Sequence, residues 1–316
     1  LSEIRRSGVT LNDRGQVISA RPEPCEAITR PMDALFVCVK SQSLARAVHI
    51  NRAAITPKTL VIPMVNGLPF WFYADRSAMG DVPHLDPDGA LSRLLRPEQV
   101  LGAVLLMTVR MDEAGCAYSS NTPTLSLGPA AKDGGADQDR LDALLDTLEK
   151  SGVATDFCPD IRQKVLVKLL ANFATNPLSA LSGAMLDEIG KTPALCGLCT
   201  ALAAEFRAWA AGEGYELPPE DWLIDLLIDA GAFPTSMLQD ALAGKPLELD
   251  AICRAPMALA AQKGNEMPRL SALLAQIRAA DSLPLPAEKL AAALAELSGS
   301  SARSARTTPT QIAEKT

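Results

Sequence analysis

The segment ALFVCVKSQSLARAVHINRAAITPKTLVIPMVNG, residues 34–67, decides the fold. It contains two apolar runs of strand length, Ala34–Val39 and Thr59–Val65, without the polar alternation of a strand that faces water on one side. Between them, Leu44–Ile50 is predicted to be a helix. Strands that are buried on both faces and joined by a helical crossover indicate a parallel βαβ unit of a doubly wound α/β sheet.

The rest of the first half extends this predicted sheet. Val100–Arg110 and Thr124–Leu127 are strand-like, and a turn at Glu113–Gly115 between them indicates an antiparallel addition. Asp137–Lys150 carries leucines at the i, i+3, i+4 and i+7 positions of an amphipathic helix. Val153–Phe157 is predicted to be a short last strand.

From Asp160 onward the pattern predicts helices only. Thr192 followed by Pro193 is typical of a helix start. Ser236–Gln239 matches a capping box, with Ser236 as the capping residue. A further helix is predicted over 248–263, and Pro256 inside it should produce a kink.

A chain of 316 residues is about the right length for two domains. The patterns predict an α/β domain over residues 1–158 and an all-α domain over residues 159–297. Residues 298–316 are rich in Ser, Thr, Ala and Arg and poor in apolar residues, so they are predicted to be a disordered tail.

Charge and hydropathy exclude two classes of partner. The formal net charge is -7, and the densest basic stretch, Glu3–Arg6, is too small for a nucleic-acid binding face. No apolar run reaches the roughly 18 residues of a membrane span, since Glu205 and Arg207 interrupt the richest stretch, Ala201–Ala211. We therefore expect neither nucleic acid nor a membrane as a partner.

The seven cysteines indicate reduced thiols in a cytoplasmic protein, because their number is odd and several have apolar neighbours. Cys196 and Cys199 form a C-x-x-C, which is either a redox pair or two small residues one helical turn apart. With only His49 and His84 as further ligands, no zinc site is expected.

Two candidate ligand-binding positions follow neighbouring strands. In an open parallel sheet, ligands bind outside the carboxyl ends of the strands, where Lys40 and the Asn66-Gly67 pair are expected to lie. Gly67 allows the backbone to turn sharply and to approach a ligand closely. The alternatives are an ordinary turn at Asn66-Gly67 and a solvated helix start at Lys40.

A polar stripe is predicted on the helix that follows Asp160. Its members recur every four residues and are Lys164, Lys168, Asn172 and Asn176. The opposite face is predicted to be buried and consists of Leu166, Leu169, Leu170 and Phe173. A solvated face is one interpretation of the stripe. The other is functional: asparagine is a poor helix former, so two of them suggest that their amides orient Lys168 or bind a substrate.

A lysine at this place suits the reduction of a ketone. Such a reaction needs a hydride on carbon and a proton on oxygen. An ammonium group beside the carbonyl stabilises the developing alkoxide and then protonates it. The ordinary lysine pKa of about 10.4 would have to fall for fast transfer near neutrality, and partial burial would lower it.

Four segments together resemble the ketopantoate reductase family. Residues 168–181, KLLANFATNPLSAL, resemble its K-L-x-x-N-x-x-x-N-P-L-S/T-A-L segment. Residues 236–240, SMLQD, and 244–250, GKPLELD, resemble its S-M-x-Q-D and R-x-S/T-E-I-D segments at the same spacing. Residues 36–41 and 65–68 resemble its V-K and Q-N-G segments. The matches keep the family's order over 33–250, which is most of the chain.

The resemblance implies roles for several residues. Lys168 would be the proton donor, and Asn172, Asn176 and Ser236 would bind the hydroxyl and carboxylate of the substrate. Glu248 would lie at both substrate and cofactor.

The resemblance also implies an NADP cofactor, supplied as NADPH. Asn66 would touch both the nicotinamide and the substrate, and Lys40 and Gly67 would lie on the cofactor side. Residues 1–158 would form an incomplete Rossmann-type dinucleotide-binding domain, because the family's first strand and G-x-G-x-x-G loop would precede Leu1. Residues 159–297 would form the helical substrate and dimerisation domain, with the site in the cleft, and a homodimer is compatible with this.

The implied function is NADPH-dependent reduction of 2-dehydropantoate to pantoate, on the way to pantothenate and coenzyme A. Two departures bear on the substrate: Leu186 stands near a family asparagine, and Tyr118 lies where a histidine is common. One alternative is therefore a related NAD(P)-dependent reductase of another 2-keto or 3-hydroxy acid. The other, from a different class, is a non-catalytic scaffold or sensor without the nucleotide loop.

Overall fold

The computed structural model describes residues 1–107, 109–112, 115–119, 121–132 and 137–299. Contacts divide the chain into two units, Leu1–Val165 and Leu166–Thr316. The first contains sheets and helices and the second contains helices, as the sequence predicts. The division lies seven residues after the predicted boundary at residue 158, inside a helix that runs from Ile161 to Ser182.

The described part of the first unit contains nine strands and four α-helices. They are α1 (Ser2–Ser7), β1 (Val9–Asp13), β2 (Gln16–Ala20), β3 (Ala34–Val37), α2 (Leu44–Ile50), β4 (Leu60–Pro63), α3 (Ala90–Leu94), β5 (Leu101–Leu106), β6 (Val109–Met111), β7 (Ala117–Ser119), β8 (Thr124–Pro129), α4 (Gln138–Lys150) and β9 (Ala154–Phe157).

The predicted βαβ unit is confirmed. Strands β3 and β4 are parallel, with Ala34 opposite Leu60, and α2 has the predicted bounds. All four residues of β4 are buried, whereas Phe36 on β3 is 38% exposed, so one face of β3 is only partly covered. A parallel bridge between Val61 and Val100 places β5 beside β4. Strand β8 then pairs antiparallel with β5, and β9 pairs parallel with β8.

A second sheet, of order β2-β1-β7-β6, was not predicted. The sequence assigns residues 100–110 to one strand, but the structure divides them between β5 and β6, which belong to different sheets. Strand β6 pairs antiparallel with β7, and β7 pairs with β1 of the N-terminal hairpin. The predicted turn residues Glu113 and Ala114 lie outside the described residues. The partner strand β1 is about a hundred positions earlier, so local sequence cannot reveal the division.

Two glycines face each other across β5 and β8, and they allow close packing. Gly102 pairs with Gly128, and a Cβ on Gly128 would lie 2.7 Å from the Cβ of Ile161 and nearer still to the Cys158 carbonyl oxygen. A Cβ on Gly102 would meet the ring of Trp71. The chain around these residues has no room for a methyl group.

We expect Gly128→Ala to lower the free energy of unfolding by about 1–3 kcal/mol, the usual cost of overpacking a close-packed core. Urea unfolding of wild type and variant would measure the difference. Gly197→Ala is the control, because Gly197 is an exposed helical glycine with no atom within 4 Å of an added Cβ. That change should raise stability by about 0.5–1 kcal/mol. Equal effects of the two substitutions would contradict the packing argument.

Helices make up the described part of the second unit. They are α5 (Ile161–Ser182, which begins in the first unit), α6 (Leu186–Lys191), α7 (Pro193–Gly212), α8 (Glu220–Ala230), α9 (Ser236–Leu242), a π-helical turn (Asp250–Arg254), α10 (Ala255–Gln262), α11 (Pro268–Ala279) and α12 (Ala287–Gly299).

Two predictions of helix ends were wrong, and a third prediction concerns the proline inside a helix. The side chain of Thr235, not Ser236, caps α9, where it accepts the Leu238 N–H at 3.1 Å. Pro256 lies inside a continuous helical stretch, as predicted, and the π-helical turn Asp250–Arg254 directly precedes it. The kink itself stays a prediction. Helix α12 continues through Gly299 and includes two residues assigned to the tail, while residues 300–316 lie outside the described part.

Helix α7 is long and apolar enough to cross a membrane by length and composition. In the structure its residues Phe206 and Trp209 are fully buried. Glu205 on the same helix accepts the backbone N–H groups of Arg269 and Leu270 at 2.7 and 3.1 Å, and it thereby caps the start of α11. These contacts are those of a core helix of the second unit.

Candidate functional site

Lys40 and Asn66-Gly67 follow the carboxyl ends of β3 and β4, as expected. Because these strands are parallel, both positions lie at the same edge of the sheet. Gly67 has a φ of +90°, in the region that favours glycine, so the backbone turns here as predicted. The Lys40 carbonyl accepts the Ser43 N–H at 2.9 Å and opens a short 3-10 turn. All three residues are partly buried.

The predicted stripe on α5 passes from solvent into the core. Lys164 is exposed, Lys168 and Asn172 are half-buried, and Asn176 is only 3% exposed. The face predicted to be buried is confirmed for all four members, Leu166, Leu169, Leu170 and Phe173. The stripe is therefore not a uniformly solvated face.

Lys164 has a structural role in the first unit. Its Nζ donates to Asp156 at 2.6 Å and to the Ser126 hydroxyl at 3.0 Å. Hydrogen bonds from Lys164 and Ser126 lower the pKa of Asp156 to about 2, and the bond to Asp156 raises the pKa of Lys164. Since both side chains are about half exposed, this ion pair is worth little stability.

Lys168 differs from Lys164, although it lies only one turn further along the helix. Burial lowers the pKa of Lys168 to about 8, and the charge of Glu248 opposes part of that shift. Glu248 is 8% exposed, so it is a buried carboxyl close enough for its charge to act on this lysine. The second unit therefore brings together the expected proton donor and the expected carboxylate.

Asn176 presents a buried amide nitrogen that lacks a hydrogen-bond partner. Its Nδ2 has no hydrogen-bond partner, while its Oδ1 accepts the Thr175 hydroxyl at 3.4 Å. An unsatisfied buried donor costs about 1–3 kcal/mol, so its persistence needs an explanation such as a ligand. The Nδ2 would donate to an oxygen of a ligand, as the sequence-based interpretation of this amide requires.

Two further candidates, Ser236 and Glu248, lie later in the second unit. Ser236 is exposed in the first turn of α9, and Glu248 directly precedes the helical segment rather than opening it. The candidate site residues are divided between the two units. Those of the second unit are Lys168, Asn172, Asn176, Ser236 and Glu248, and those of the first unit are Lys40, Asn66 and Gly67.

Other chemistry has less support. Burial raises the pKa of Cys199 to about 12, which disfavours the thiolate that a redox C-x-x-C needs. Among the described residues, no group of three or more His, Cys, Asp and Glu side chains could hold a metal ion.

Arg162, which is 1% exposed at the start of α5, is not among the residues predicted to be functional from the sequence. One signal was available: a positive charge in the first turn of a helix is opposed by the helix dipole, so an arginine there calls for specific partners.

Comparisons with known proteins give one consistent result. A family described as "Ketopantoate reductase PanE/ApbA" matches residues 1–132, and its C-terminal counterpart, "Ketopantoate reductase PanE/ApbA C terminal", matches residues 160–281. A 2-dehydropantoate 2-reductase of Mesorhizobium japonicum is 29% identical over 287 residues, which cover 88% of this chain and 86% of the relative. A Nostoc protein of the same name is 26% identical over 145 residues, 45% of this chain and 46% of the relative.

Solved structures agree on the fold. A putative ketopantoate reductase from Ralstonia solanacearum superposes with a TM-score of 0.80 at 27% identity, covering 88% of this chain and 86% of that one. A D-mandelate dehydrogenase with NADH and anilino(oxo)acetate superposes with a TM-score of 0.69 at 18% identity, covering 94% and 88%.

Proposed function

The chain belongs to the ketopantoate reductase family, and from this premise we propose that it reduces 2-dehydropantoate to pantoate with NADPH. The product would serve pantothenate and coenzyme A synthesis. The observation that carries the proposal is Lys168, a half-buried lysine with a pKa of about 8 on the helix that also carries Asn176 and its unpartnered Nδ2.

Lys168 would act as the general acid. The dinucleotide, when bound, supplies the hydride that adds to the ketone carbon. The Lys168 ammonium donates a hydrogen bond to the carbonyl oxygen, stabilises the alkoxide and transfers its proton to that oxygen. A pKa near 8 places this acid nearer to neutrality than an ordinary lysine, which favours fast transfer, and the neutral amine then takes a proton from solvent.

The substrate would be held by amide and hydroxyl groups. Asn176 offers its buried Nδ2 as a donor to the carboxylate or hydroxyl of the 2-keto acid, and Asn172 lies one turn earlier on the same helix. Ser236 would add a hydroxyl, and Glu248 would accept a hydrogen bond from the substrate while its charge keeps the pKa of Lys168 from falling further.

The residues that would meet the cofactor lie at the carboxyl edge of the parallel strands. Lys40, Asn66 and Gly67 fit this role, because Gly67 in its positive-φ conformation allows close approach of the backbone. A choice of NADPH over NADH is part of the proposal. We also propose a cytoplasmic location, which the seven free cysteines support. A homodimer is proposed as well, and size-exclusion chromatography would test it.

A second candidate is the reduction of a different 2-keto acid. Leu186, the first residue of α6, is half-buried near the place where the family has an asparagine, so one polar contact to the substrate is missing. Steady-state rates with ketopantoate, phenylglyoxylate and pyruvate, each with NADPH and with NADH, would separate the candidates. No turnover of any 2-keto acid by the full chain would favour a scaffold or sensor.

The kcat for ketone reduction is expected to fall as the pH rises above about 8. The acid must be protonated to act, and Lys168 loses its proton through that pH. Measurement of kcat from pH 6 to pH 10 at saturating NADPH would show one descending limb. A kcat that rises with pH through this range would mean that Lys168 is not the acid.

A further inference from the structure

We propose that Arg162 is a positioning residue, which holds the segment after Asn66-Gly67 against the first turn of α5. The segment comprises residues 67–74, GLPFWFYA, and is called here the aromatic segment. The inference rests on the proposed function, because it matters for catalysis only if Asn66 and Lys168 act on the same substrate.

Arg162 joins three backbone carbonyls. Its Nε donates to the Phe72 carbonyl at 2.7 Å, and its Nη2 donates to the carbonyls of Ala74, at 3.1 Å, and Ala130. The guanidinium also lies 5.5 Å from the centre of the Trp71 ring, within the range of a cation–π contact. One side chain thus contacts three of the eight residues in the aromatic segment.

Arg162 supplies side-chain donors to these carbonyls, of which that of Ala74 also accepts the Lys132 N–H at 3.1 Å. The aromatic segment is neither helix nor strand, and Leu68, Phe70, Trp71, Phe72 and Ala74 are all buried. Buried backbone acceptors outside regular structure must find donors elsewhere. The planar guanidinium presents several N–H groups in a fixed fork, which an ammonium group cannot reproduce.

The position of Arg162 explains why this contact bears on catalysis. The aromatic segment begins at Gly67, directly after Asn66, so the contacts of Arg162 fix the chain that leads away from Asn66. On the other side, Arg162 belongs to α5, which carries Lys168 six residues later, or about 9 Å along the helix axis. A buried cation is costly unless its contacts compensate, which argues against an incidental arginine.

The test compares Arg162→Lys and Arg162→Met with Lys164→Met in the full chain. Lys164 is the matched control, because it lies two residues away and contacts Ser126 and Asp156 rather than the aromatic segment. Hydrogen exchange of the amides in residues 67–74 should become at least ~10-fold faster in both Arg162 variants and stay unchanged in the control. The kcat should fall at least ~10-fold in both, since small misplacement of reacting groups has large effects.

The pH dependence of kcat distinguishes a loss of positioning by Arg162 from a change in the surroundings of Lys168. The descending limb near pH 8 should stay in place in the Arg162 variants, because the groups that set the pKa of Lys168 are unchanged. Wild-type exchange in residues 67–74, or wild-type kcat in a folded Arg162→Lys variant, would overturn the inference. If neither variant folds at any temperature tested, the inference is also overturned, because Arg162 would then serve only the stability of the core.

Failure of the proposed function would look different. If the wild type reduces no 2-keto acid, the exchange measurement still shows whether Arg162 orders the aromatic segment, and the catalytic part of the inference falls with the function. If the wild type is a reductase and Arg162→Lys matches it in both measurements, the function stands and only the inference is wrong.

Discussion

Replacement of Lys168 by alanine is expected to lower kcat with ketopantoate by at least ~10²-fold, because general-acid catalysis contributes about 10²- to 10⁴-fold. The affinity for NADPH should hardly change, since the side chain is expected to reach the substrate and not the nucleotide. Burial already disfavours the charged lysine, so its removal should not unfold the protein. Steady-state kinetics and cofactor titration of the full chain would measure both effects.

Lys164→Ala is the control for this experiment. It removes a lysine from the same helix, one turn earlier, and costs an exposed ion pair with Asp156 and a hydrogen bond to the Ser126 hydroxyl. Its kcat and KM should stay close to wild type. If the two alanine variants behave alike, the mechanism fails. If Lys168→Ala is crippled but ketopantoate is a poor substrate of the wild type, the chemistry stands and only the substrate is wrong.

Glu248→Ala is expected to raise the KM for the substrate by more than about tenfold, while the thermal midpoint stays within a few degrees. The reason is that Glu248, a buried carboxyl whose charge acts on Lys168, is proposed to accept a hydrogen bond from a substrate hydroxyl. A substrate titration at saturating NADPH, together with thermal unfolding, would measure the two quantities. A large loss of stability with unchanged kinetics would show that Glu248 serves only the fold.

Glu248→Gln gives a second measurement of the same contact. The carboxylate charge raises the pKa of Lys168 against the effect of burial, so its removal should lower that pKa further. The descending limb of kcat should then move to lower pH than in the wild type. An unmoved limb would mean that the two groups do not interact in the working enzyme.

The βαβ unit was predictable because its signals are local. Continuous apolar runs at Ala34–Val39 and Thr59–Val65 already show that both faces of the strands are covered, and the structure gives the pair as parallel. The buried face of α5 followed in the same way from the spacing of its leucines. The sharp turn at Gly67 was predictable because glycine is the residue type that such a turn favours.

The features that could not be predicted from the sequence depend mostly on residues that are distant along the chain. The charge that acts on Lys168 belongs to Glu248, far along the chain, whereas Lys164 at the same spacing meets Asp156 and stays exposed. The role of Arg162 depends on carbonyls 32 to 90 residues away. The cap of α9 was missed for a local reason, since adjacent Thr235 and Ser236 are both suitable caps.

The π-helical turn at Asp250–Arg254 has an evolutionary consequence. Such a turn has the form of an α-helix into which one residue has been inserted. A single deletion within it would restore α-helical geometry and rotate the preceding chain by about 100° around the helix axis. Glu248 lies only two residues before the turn. The orientation of Glu248 towards Lys168 therefore depends on one extra residue in the turn. An insertion or deletion in this turn would change that orientation more than most substitutions would.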